Sequence, residues 1–554
     1  MTERSERGGS RRDDRGGYGD RGDRGGSGGG GGRGGDRGYR GGSGYRGGSG
    51  GGRGGDRGYR GGSGGDRGGD RGYRDGERGR SRRVYDDEPR DGLLADLVGH
   101  LHALDGRSYA AYKAIVGRYR APAGWFLHID RVQSDPYAPP TRIHVDVPTD
   151  LHGLELLDEA DLLTNADRRL AVGDFLTREL HAGFRGTALS IASPGQEILQ
   201  RSSVILRPDE KKEGTGWVLE VRARLALPAQ GRSIQGHEAS RIVGRDLVRE
   251  LEEAMDLTGE RGDRLVRHVA TLEDHRALTA TVARNGWVAF LADGSVLPRR
   301  SGVSDDPLDG GVPLEAPESM AATVELPHAG MVRGTVVEAG VNVIVGGGYH
   351  GKSTLLSAIE RGVYPHVPGD GRELVATVPD AVKVRAADGR AVTGVDLTPF
   401  ISHLPAGRDT ASFTTRNASG STSQAASIIE AVEAGATTLL LDEDTSATNL
   451  LIRDSRMRAL VAAEREPITP LVDRITALFR RRGVSTVMVM GGSGDYLDVA
   501  DRVLLMDAYH LRDATQEASH VVADQPREMT ALPGFPWPVG RVPRPAPART
   551  RRGP

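Results

Sequence analysis

A glycine-rich loop between an apolar run and a helix-forming run constrains the fold of this chain more than any other feature. The apolar run is Val341–Val345, and Leu355, Leu356 and Ile359 recur at helical spacing after the loop. Between the two runs lie Gly346, Gly347, Gly348, Tyr349, His350, Gly351, Lys352, Ser353 and Thr354. A strand, such a loop and a helix in this order predict an α/β fold in which the loop surrounds a phosphate group.

The residue types of this loop indicate the ligand. Glycines let backbone N–H groups curl around an anion at the N-terminus of a helix. We expect Lys352 to reach the β- and γ-phosphates of ATP, and Ser353 to place its hydroxyl on Mg²⁺. The sequence therefore predicts a site for ATP and Mg²⁺, with the residues from Gly346 to Thr354 as its binding residues.

A second apolar run ends in two acids. Thr437–Leu441 is followed by Asp442 and Glu443. We expect Asp442 to hold Mg²⁺, directly or through water, and Glu443 to polarise the attacking water as general base. A buried strand that ends in surface acids is the alternative, and the phosphate loop upstream weakens it. Lys352 and Glu443 are thus the predicted catalytic residues.

The composition divides the chain into a tail and a body. Of the 80 glycines, 36 lie in the first 80 residues, which also hold 19 Arg, no Lys and 12 Asp or Glu. The net charge of this segment is +7 (19 minus 12), so the rest of the chain carries −9 of the total of −2. Because the segment has almost no aliphatic side chains, we expect residues 1–84 to form a disordered tail.

The tail also predicts a partner. The stretch Gly34–Gly44 recurs unchanged at Gly54–Gly64, and it combines Gly with Arg and Tyr. Arg and Tyr can stack on bases, and Arg contacts phosphates, so the composition resembles RGG-type segments of RNA-binding proteins. We expect weak, salt-sensitive binding to nucleic acid, with RNA favoured. A flexible linker without a partner is the alternative.

Apolar patterns divide the body into domains. Helical spacing over Leu93–Leu104 and strand patterns at 125–129, 142–147 and 217–227 predict a mixed α/β domain over residues 85–250. An ATPase domain follows over 251–515, and 516–554 is a C-terminal extension with a Pro-rich, basic end. The chain has no Cys, no apolar run of the ~18 residues that span a membrane, and no secretory signal, so a cytoplasmic protein is expected.

Two further stretches resemble the ABC class of ATPases. The run from Asp442 to Asn449 is similar to the segment that begins with the catalytic acids in that class, with Asp444 in place of a Pro and Asn449 in place of an Asp. Ser419 and Gly420 match its signature motif, and Ser419 lies 23 residues before Asp442, the usual distance. The resemblance implies that this signature faces the γ-phosphate bound by a second copy. Ser421 and Thr422 depart from the motif, so the match is partial.

One element of the ABC class is missing. The strand Val484–Met490 runs into Gly491–Tyr496, where the class usually has a switch His. Ser493 or Asp495 is the expected replacement as a sensor of the γ-phosphate, and the hydrolysis rate is expected to be low. Arg372, Arg385 and Arg408 are interpreted as surface charges, with contact to phosphate or between domains as the alternative.

The altered signature and the loop without a switch His occur together in this chain. In this combination the chain resembles the soluble, stand-alone predicted ATPases of the ABC class. That resemblance implies a P-loop NTPase domain after an N-terminal α/β domain, no membrane partner, and an association with nucleic acid. We therefore expect an ATPase that closes as a homodimer around two ATP molecules. The alternative is a nucleic-acid-binding or scaffold protein that uses ATP as a slow switch with little hydrolysis. A transporter subunit and a small-molecule kinase fit the motifs less well.

Overall fold

The computed structural model describes residues 90–210, 216–402, 404, 407, 409–453, 460–461, 466–525 and 535. The predicted disordered tail 1–84 lies outside these residues, and so does Arg408. The predicted C-terminal extension 516–554 is described only over 516–525 and at residue 535, and the helix Thr515–Asp524 covers its start.

The first part of the described chain is built on a mixed sheet. Its strands are Arg90–Leu93, Gly117–Arg120, Phe126–Arg131, Thr141–Pro148, Leu189–Ser190, Val204–Pro208 and Trp217–Leu225. The first two strands pair in parallel and the other pairs are antiparallel. Alternate residues of Thr141–Pro148 are buried, so the period of two predicted at 142–147 is confirmed.

Helices supply the other half of the core of this first sheet. They are Leu94–Ala103, Leu156–Glu159, Ala166–Gly183, Gly236–Arg241 and Leu247–Met255, with a 3₁₀ turn at Tyr109–Ile115 and a π-helical turn at Ile242–Asp246. Leu94, Leu97 and Leu101 are buried against the sheet, as their spacing predicts, whereas Leu93 is exposed. The helix Leu247–Met255 spans the predicted domain boundary at residue 250, and the domain boundaries stay a prediction.

A long helix and an antiparallel sheet lead from this part to the phosphate loop. The helix is Glu260–Arg284, and the strands across the sheet are Ala321–Leu326, Gly330–Glu338, Trp287–Ala292 and Val375–Thr377. The sequence patterns did not indicate the helix. Its buried face includes His268, Asp274 and His275 as well as apolar residues, so polar groups interrupt the apolar stripe.

The phosphate loop belongs to a third, central sheet. Across this sheet the strands are Ala381–Lys383, Thr438–Asp442, Ser485–Val489, Val341–Gly346, Arg502–Asp507 and His510–Asp513. All neighbouring pairs are parallel except the last, which is a hairpin. Because parallel strands have their carboxyl ends at the same edge, the phosphate loop, Glu443 and Gly491 start from one edge.

The remaining elements complete this region. The helices are Lys352–Arg361, here called the phosphate-loop helix, Gly420–Glu433, here called the signature helix, and Thr448–Leu451 and Ile475–Arg482. Short paired strands lie at Ala229–Gln230 with Ser233–Ile234, at Arg299–Ser301 with Ser304–Pro307, and at Val392–Val395 with Phe413–Thr415. 3₁₀ turns lie at Glu318–Met320, Glu443–Thr445 and Leu471–Asp473. Among the described helices, none combines the length and the apolar character that a membrane span requires.

Candidate nucleotide site

The phosphate loop connects the strand Val341–Gly346 to the phosphate-loop helix. Gly351 precedes the helix with φ +101°, a left-handed conformation that favours glycine. A Cβ at this position would lie 2.8 Å from the ring of Tyr509, so there is also no room for a side chain. The loop therefore needs glycine at this position for both conformational and steric reasons.

The middle of the loop is anchored on one side and open on the other. Ala508 donates its backbone N–H to Nδ1 of His350 at 3.2 Å, and Tyr509 donates its N–H to the carbonyl of His350 at 3.0 Å. Gly347, Gly348 and Tyr349 are exposed, and Tyr349 has φ +63°. His350 therefore ties the loop to the hairpin at 507–510, while the three residues before it face solvent.

Lys352 and Ser353 lie at the first turn of the phosphate-loop helix. Nζ of Lys352 donates to the carbonyl oxygens of Gly346 and Gly347, both at 2.8 Å. The Ser353 residue is exposed, and its hydroxyl makes no hydrogen bond with the described residues. Thr354 lines a small pocket beside Leu355 and Tyr509. The ammonium thus lies across the loop, and the Ser353 hydroxyl is available to a ligand.

The two acids after the strand Thr438–Asp442 lie in different surroundings. Asp442 is buried, and its Oδ1 accepts the backbone N–H of Asp444 at 3.2 Å. Glu443 is half-buried, and its Oε2 accepts the backbone N–H groups of Gly491 at 2.6 Å and Gly492 at 2.9 Å. Asp442 pairs in register with Val489 at the end of the strand Ser485–Val489. The two glycines that follow this strand therefore lie next to the Glu443 carboxylate.

Lys352 and Glu443 converge on Gly491. A Cβ built at Gly491 would lie 3.8 Å from Cε of Lys352 and 3.8 Å from Oε2 of Glu443. The structure therefore brings both predicted catalytic side chains to one place at the edge of the central sheet. Ser353 and Asp442 offer a hydroxyl and a carboxylate, which are donors that suit a hard cation such as Mg²⁺.

Ser419 and Gly420 lie at the start of the signature helix. Ser419 is exposed, and its hydroxyl donates to Oγ1 of Thr422 at 3.0 Å. A Cβ at Gly420 would lie 3.0 Å from a carboxylate oxygen of Asp388. Among the described residues, neither contacts Lys352 or Glu443 through a hydrogen bond. Hydrogen bonds therefore hold Lys352 on the loop and Glu443 on Gly491, while Ser419 is bonded within its own helix.

Ser493 directly follows the two glycines that hold Glu443, and its hydroxyl is bonded within its own loop. Its hydroxyl accepts the backbone N–H of Asp495 at 3.2 Å, and no hydrogen bond joins it to Lys352 or Glu443 within the described part of the chain. The predicted role of Ser493 as a γ-phosphate sensor stays a prediction.

Sequence reasoning missed three features of this site. The first is the pair of N–H groups of Gly491 and Gly492, for which a Gly-Gly step directly after a buried strand is the available signal. The second is Gln424, which is fully buried: its Nε2 donates to Ser446 Oγ at 2.9 Å, and its Oε1 accepts the N–H of Ala447 at 2.7 Å. The third is the contact of Tyr509 with the loop, which no local pattern indicates.

The prediction that Arg372 is a surface charge is wrong. Arg372 is buried, and its guanidinium donates to the carbonyl of Leu297 through Nε at 3.0 Å. Burial lowers the pKa of this guanidinium to about 10. Arg372 therefore supports the approach of residues 297–299 to the segment around Asp370, which accepts a hydrogen bond from Arg299 at 2.7 Å. Arg385 is exposed, as predicted.

Protein-family models match both parts of the chain. Residues 94–257 match the N-terminal domain of ATPases of the ABC class, and residues 261–536 match the P-loop domain of the ABC ATPases. The chain therefore belongs to the ATPases of the ABC class. The resemblance drawn from the motifs is confirmed, and so is the P-loop α/β fold.

Individual relatives add little about function. An uncharacterized protein of Methanocaldococcus jannaschii is 28% identical over 255 residues, which are 44% of this chain and 56% of that relative. The match thus spans little more than half of the relative's length. An ATP-binding cassette of an ABC transporter in its ADP conformation is 10% identical, covers 43% of this chain and 96% of its own, and has a TM-score of 0.25. The cbiO1 protein of Clostridium perfringens, part of an ABC transporter complex, is 11% identical, covers 44% and 96%, and has a TM-score of 0.26. TM-scores this low support no statement about this chain.

Proposed function

We propose that this protein hydrolyses ATP at the site formed by the phosphate loop and the acids at the edge of the central sheet. The observation that carries the proposal is the convergence of Lys352 and Glu443 on Gly491, where a Cβ would lie 3.8 Å from Cε of Lys352 and 3.8 Å from Oε2 of Glu443. Lys352 neutralises charge on the β- and γ-phosphates, and Glu443 takes the proton of the attacking water. Ser353 and Asp442 would hold Mg²⁺, which would supply further neutralisation of the phosphate charge.

Glu443 is positioned by backbone rather than by a switch His. The N–H groups of Gly491 and Gly492 hold its carboxylate at the edge of the central sheet. Both of these hydrogen bonds are made to Oε2. Because the ABC class usually has a switch His at this place, we expect slow turnover.

The position of Ser419 and Gly420 supports a composite site. They lie at the exposed start of a 14-residue helix, whose N-terminal N–H groups and positive dipole end favour an anion. Since these residues make no hydrogen bond to the phosphate loop among the described residues, a second copy would supply them. Two copies of the chain thus enclose two ATP molecules, and hydrolysis reopens the dimer.

Sedimentation of a hydrolysis-deficient variant tests the dimer. With Mg²⁺ and ATP, the full-length Glu443→Gln variant should sediment as a dimer, and without ATP as a monomer. Glu159→Gln, at an exposed position on the helix Leu156–Glu159, is the matched control and should behave as the wild type. A Glu443→Gln protein that binds ATP and stays monomeric at all concentrations contradicts composite closure.

ATP binding itself has a separate test. Lys352→Ala should weaken ATP binding by roughly tenfold or more, because it removes a charge-assisted contact to phosphate. The variant Lys383→Ala, whose ammonium pairs with Glu360 at 2.7 Å, removes a lysine elsewhere and should bind ATP normally. Equal loss in both variants would point to unfolding rather than to the site.

The nucleic-acid partner, with RNA favoured, rests on the Arg, Gly and Tyr composition of residues 1–84, which lie outside the described residues. Crosslinking followed by sequencing of bound nucleic acid should recover RNA with the full-length chain. A chain that starts at Arg83 should recover far less. Equal recovery from both chains removes the tail from the proposal.

A slow nucleotide switch is the second candidate function. Two observations favour it: backbone N–H groups engage the Glu443 carboxylate, and Gly491 and Gly492 stand where the ABC class usually has its switch His. Steady-state ATPase rates measured with and without RNA separate the two functions. Turnover that rises with RNA supports an ATPase driven by its client, and negligible turnover that RNA leaves unchanged supports the switch.

A further inference from the structure

Two arginines face each other across neighbouring strands of the first sheet. Arg142 lies on Thr141–Pro148 and Arg224 lies on Trp217–Leu225, and the two residues are direct partners in the antiparallel register. Both are exposed and lie on the face opposite Ile143 and Ala223. Like charges directly opposite each other on one face of a sheet destabilise it.

Neither guanidinium is neutralised by the described part of the chain. Arg142 and Arg224 make no ion pair and no side-chain hydrogen bond with the described residues, whereas nearby charges are matched. Glu220 accepts hydrogen bonds from Arg222 at 2.6 Å and Arg207 at 3.0 Å, and Asp130 lies 2.9 Å from His144. The nearby acids are therefore engaged by other side chains, and the two facing arginines are left as an uncompensated pair.

The pair borders a cavity with further donors. The cavity has a volume of about 660 Å³, within the range of small-molecule sites. Its lining includes Arg142, Arg222, Arg224, Ser190 and Ser202, and one acid, Asp130, which His144 contacts. Ser190 is the register partner of Arg224 on its other side. Guanidinium groups and hydroxyls thus surround a space that is open to solvent.

We propose that this cavity binds a phosphate-bearing anion, held by Arg142 and Arg224 with Ser190 beside them. Guanidinium groups match phosphate oxygens in charge and in the geometry of their N–H groups. An anion between the two arginines would also reduce their mutual repulsion. The site is independent of the nucleotide site and does not rest on the proposed hydrolysis.

Pyrophosphate is the probe for this site. Binding is measured by titration calorimetry on full-length chains. All of these chains carry Lys352→Ala, so that the phosphate loop contributes little to pyrophosphate binding. The expected result is one pyrophosphate per chain, with affinity reduced roughly tenfold or more by Arg142→Gln/Arg224→Gln. The control Arg185→Gln/Arg267→Gln removes two exposed arginines elsewhere and should leave the affinity unchanged.

A second measurement separates loss of folding from loss of binding. Without a ligand, the Arg142→Gln/Arg224→Gln chain should unfold at the same temperature as its parent or higher, because a repulsion is removed. Pyrophosphate should raise the unfolding temperature of the parent but not of the double variant. Pyrophosphate binding that is absent, or equal in the double variant and its parent, overturns the proposal.

A parallel titration with a short 5′-hydroxyl oligouridine shows whether the bound phosphate belongs to a nucleic acid or to a free molecule. If the double variant weakens the oligonucleotide roughly tenfold and pyrophosphate competes with it, the phosphate belongs to a nucleic-acid backbone. If the double variant weakens pyrophosphate alone, the ligand is a free phosphorylated molecule. Both results support the anion site and identify its source.

Discussion

The carboxylate of Glu443 accepts the backbone N–H of Gly492 at 2.9 Å, across the carboxyl edge of the central sheet. The two residues are 49 positions apart in the chain and meet because their strands are parallel neighbours. A Cβ at Gly492 would lie 2.9 Å from Oε1 of Glu443, closer than such atoms approach. Glycine at position 492 therefore permits the carboxylate to lie where it does.

Gly492→Ala should lower the rate of ATP hydrolysis. The methyl group displaces the Glu443 carboxylate, and we expect kcat to fall by roughly tenfold or more, since a positioned general base contributes a factor of about 10²–10⁴. ATP binding, which depends on the phosphate loop, should change little. The control is Gly494→Ala, because a Cβ there meets only the side chain of Leu497 at 3.9 Å. Steady-state kinetics of both variants decide, and equal kcat values would contradict the role of Gly492.

Gln424→Ala should destabilise the protein by about 1–3 kcal/mol. The buried amide joins the signature helix to Ser446 and Ala447, so its removal leaves the backbone N–H of Ala447 without its partner. Urea unfolding gives the change in free energy. Ser427→Ala, which removes only a bond of Ser427 to the carbonyl of Ser423 one turn earlier, should cost much less. A similar loss in the two variants would contradict a specific role for Gln424.

Asp174→Asn should be among the costliest single changes. The side chain of Asp174 is fully buried and lies 2.7 Å from Nε of Arg178, 3.0 Å from Nε of Arg201 and 3.2 Å from Nε2 of His268. Removing the charge leaves the partly buried guanidinium groups of Arg178 and Arg201 without their carboxylate, which costs up to about 3–5 kcal/mol. Asp167→Asn on the same helix breaks an exposed pair with Arg276 and should cost less than about 1 kcal/mol. Urea midpoints that are equal for the two variants would contradict this ranking.

His275 should make stability depend on pH. Burial lowers the pKa of its imidazole from 6.5 to about 4 in the folded protein, where the ring lies 3.2 Å from the carbonyl of Gly362. Because the folded pKa is below the unfolded value, the stabilisation is complete above pH 6.5 and is lost as the pH falls from there towards 4. The loss is about 3 kcal/mol by linkage.

Thermal or urea unfolding measured between pH 7 and pH 4 checks this dependence, with the limits set by the two pKa values of His275. His275→Gln should show a shallower decline than the wild type over that interval. The exposed His510 offers the matched substitution His510→Gln, which should retain the wild-type slope. An unchanged slope in His275→Gln means that other groups carry the pH dependence.

The parts of the site that are local in the chain could be predicted from the sequence. The strand Val341–Gly346, the glycine loop, the helix from Lys352 and the strand that ends at Asp442 lie where their motifs indicate. Each depends on neighbours within a few residues, such as a φ that favours glycine or an apolar run of strand length. The helix Glu260–Arg284 could not be predicted in this way, because polar residues on its buried face obscure the period.

The sequence by itself determined the chemistry that is available: a phosphate loop with Lys352, two acids after a strand, and a signature at Ser419 and Gly420. Only the tertiary structure decided which of these groups meet. It places Glu443 against Gly491 and Gly492, buries Arg372 and sets Arg142 opposite Arg224. The physical reason is that strand order and register join residues far apart in the chain, and no local pattern encodes those pairings.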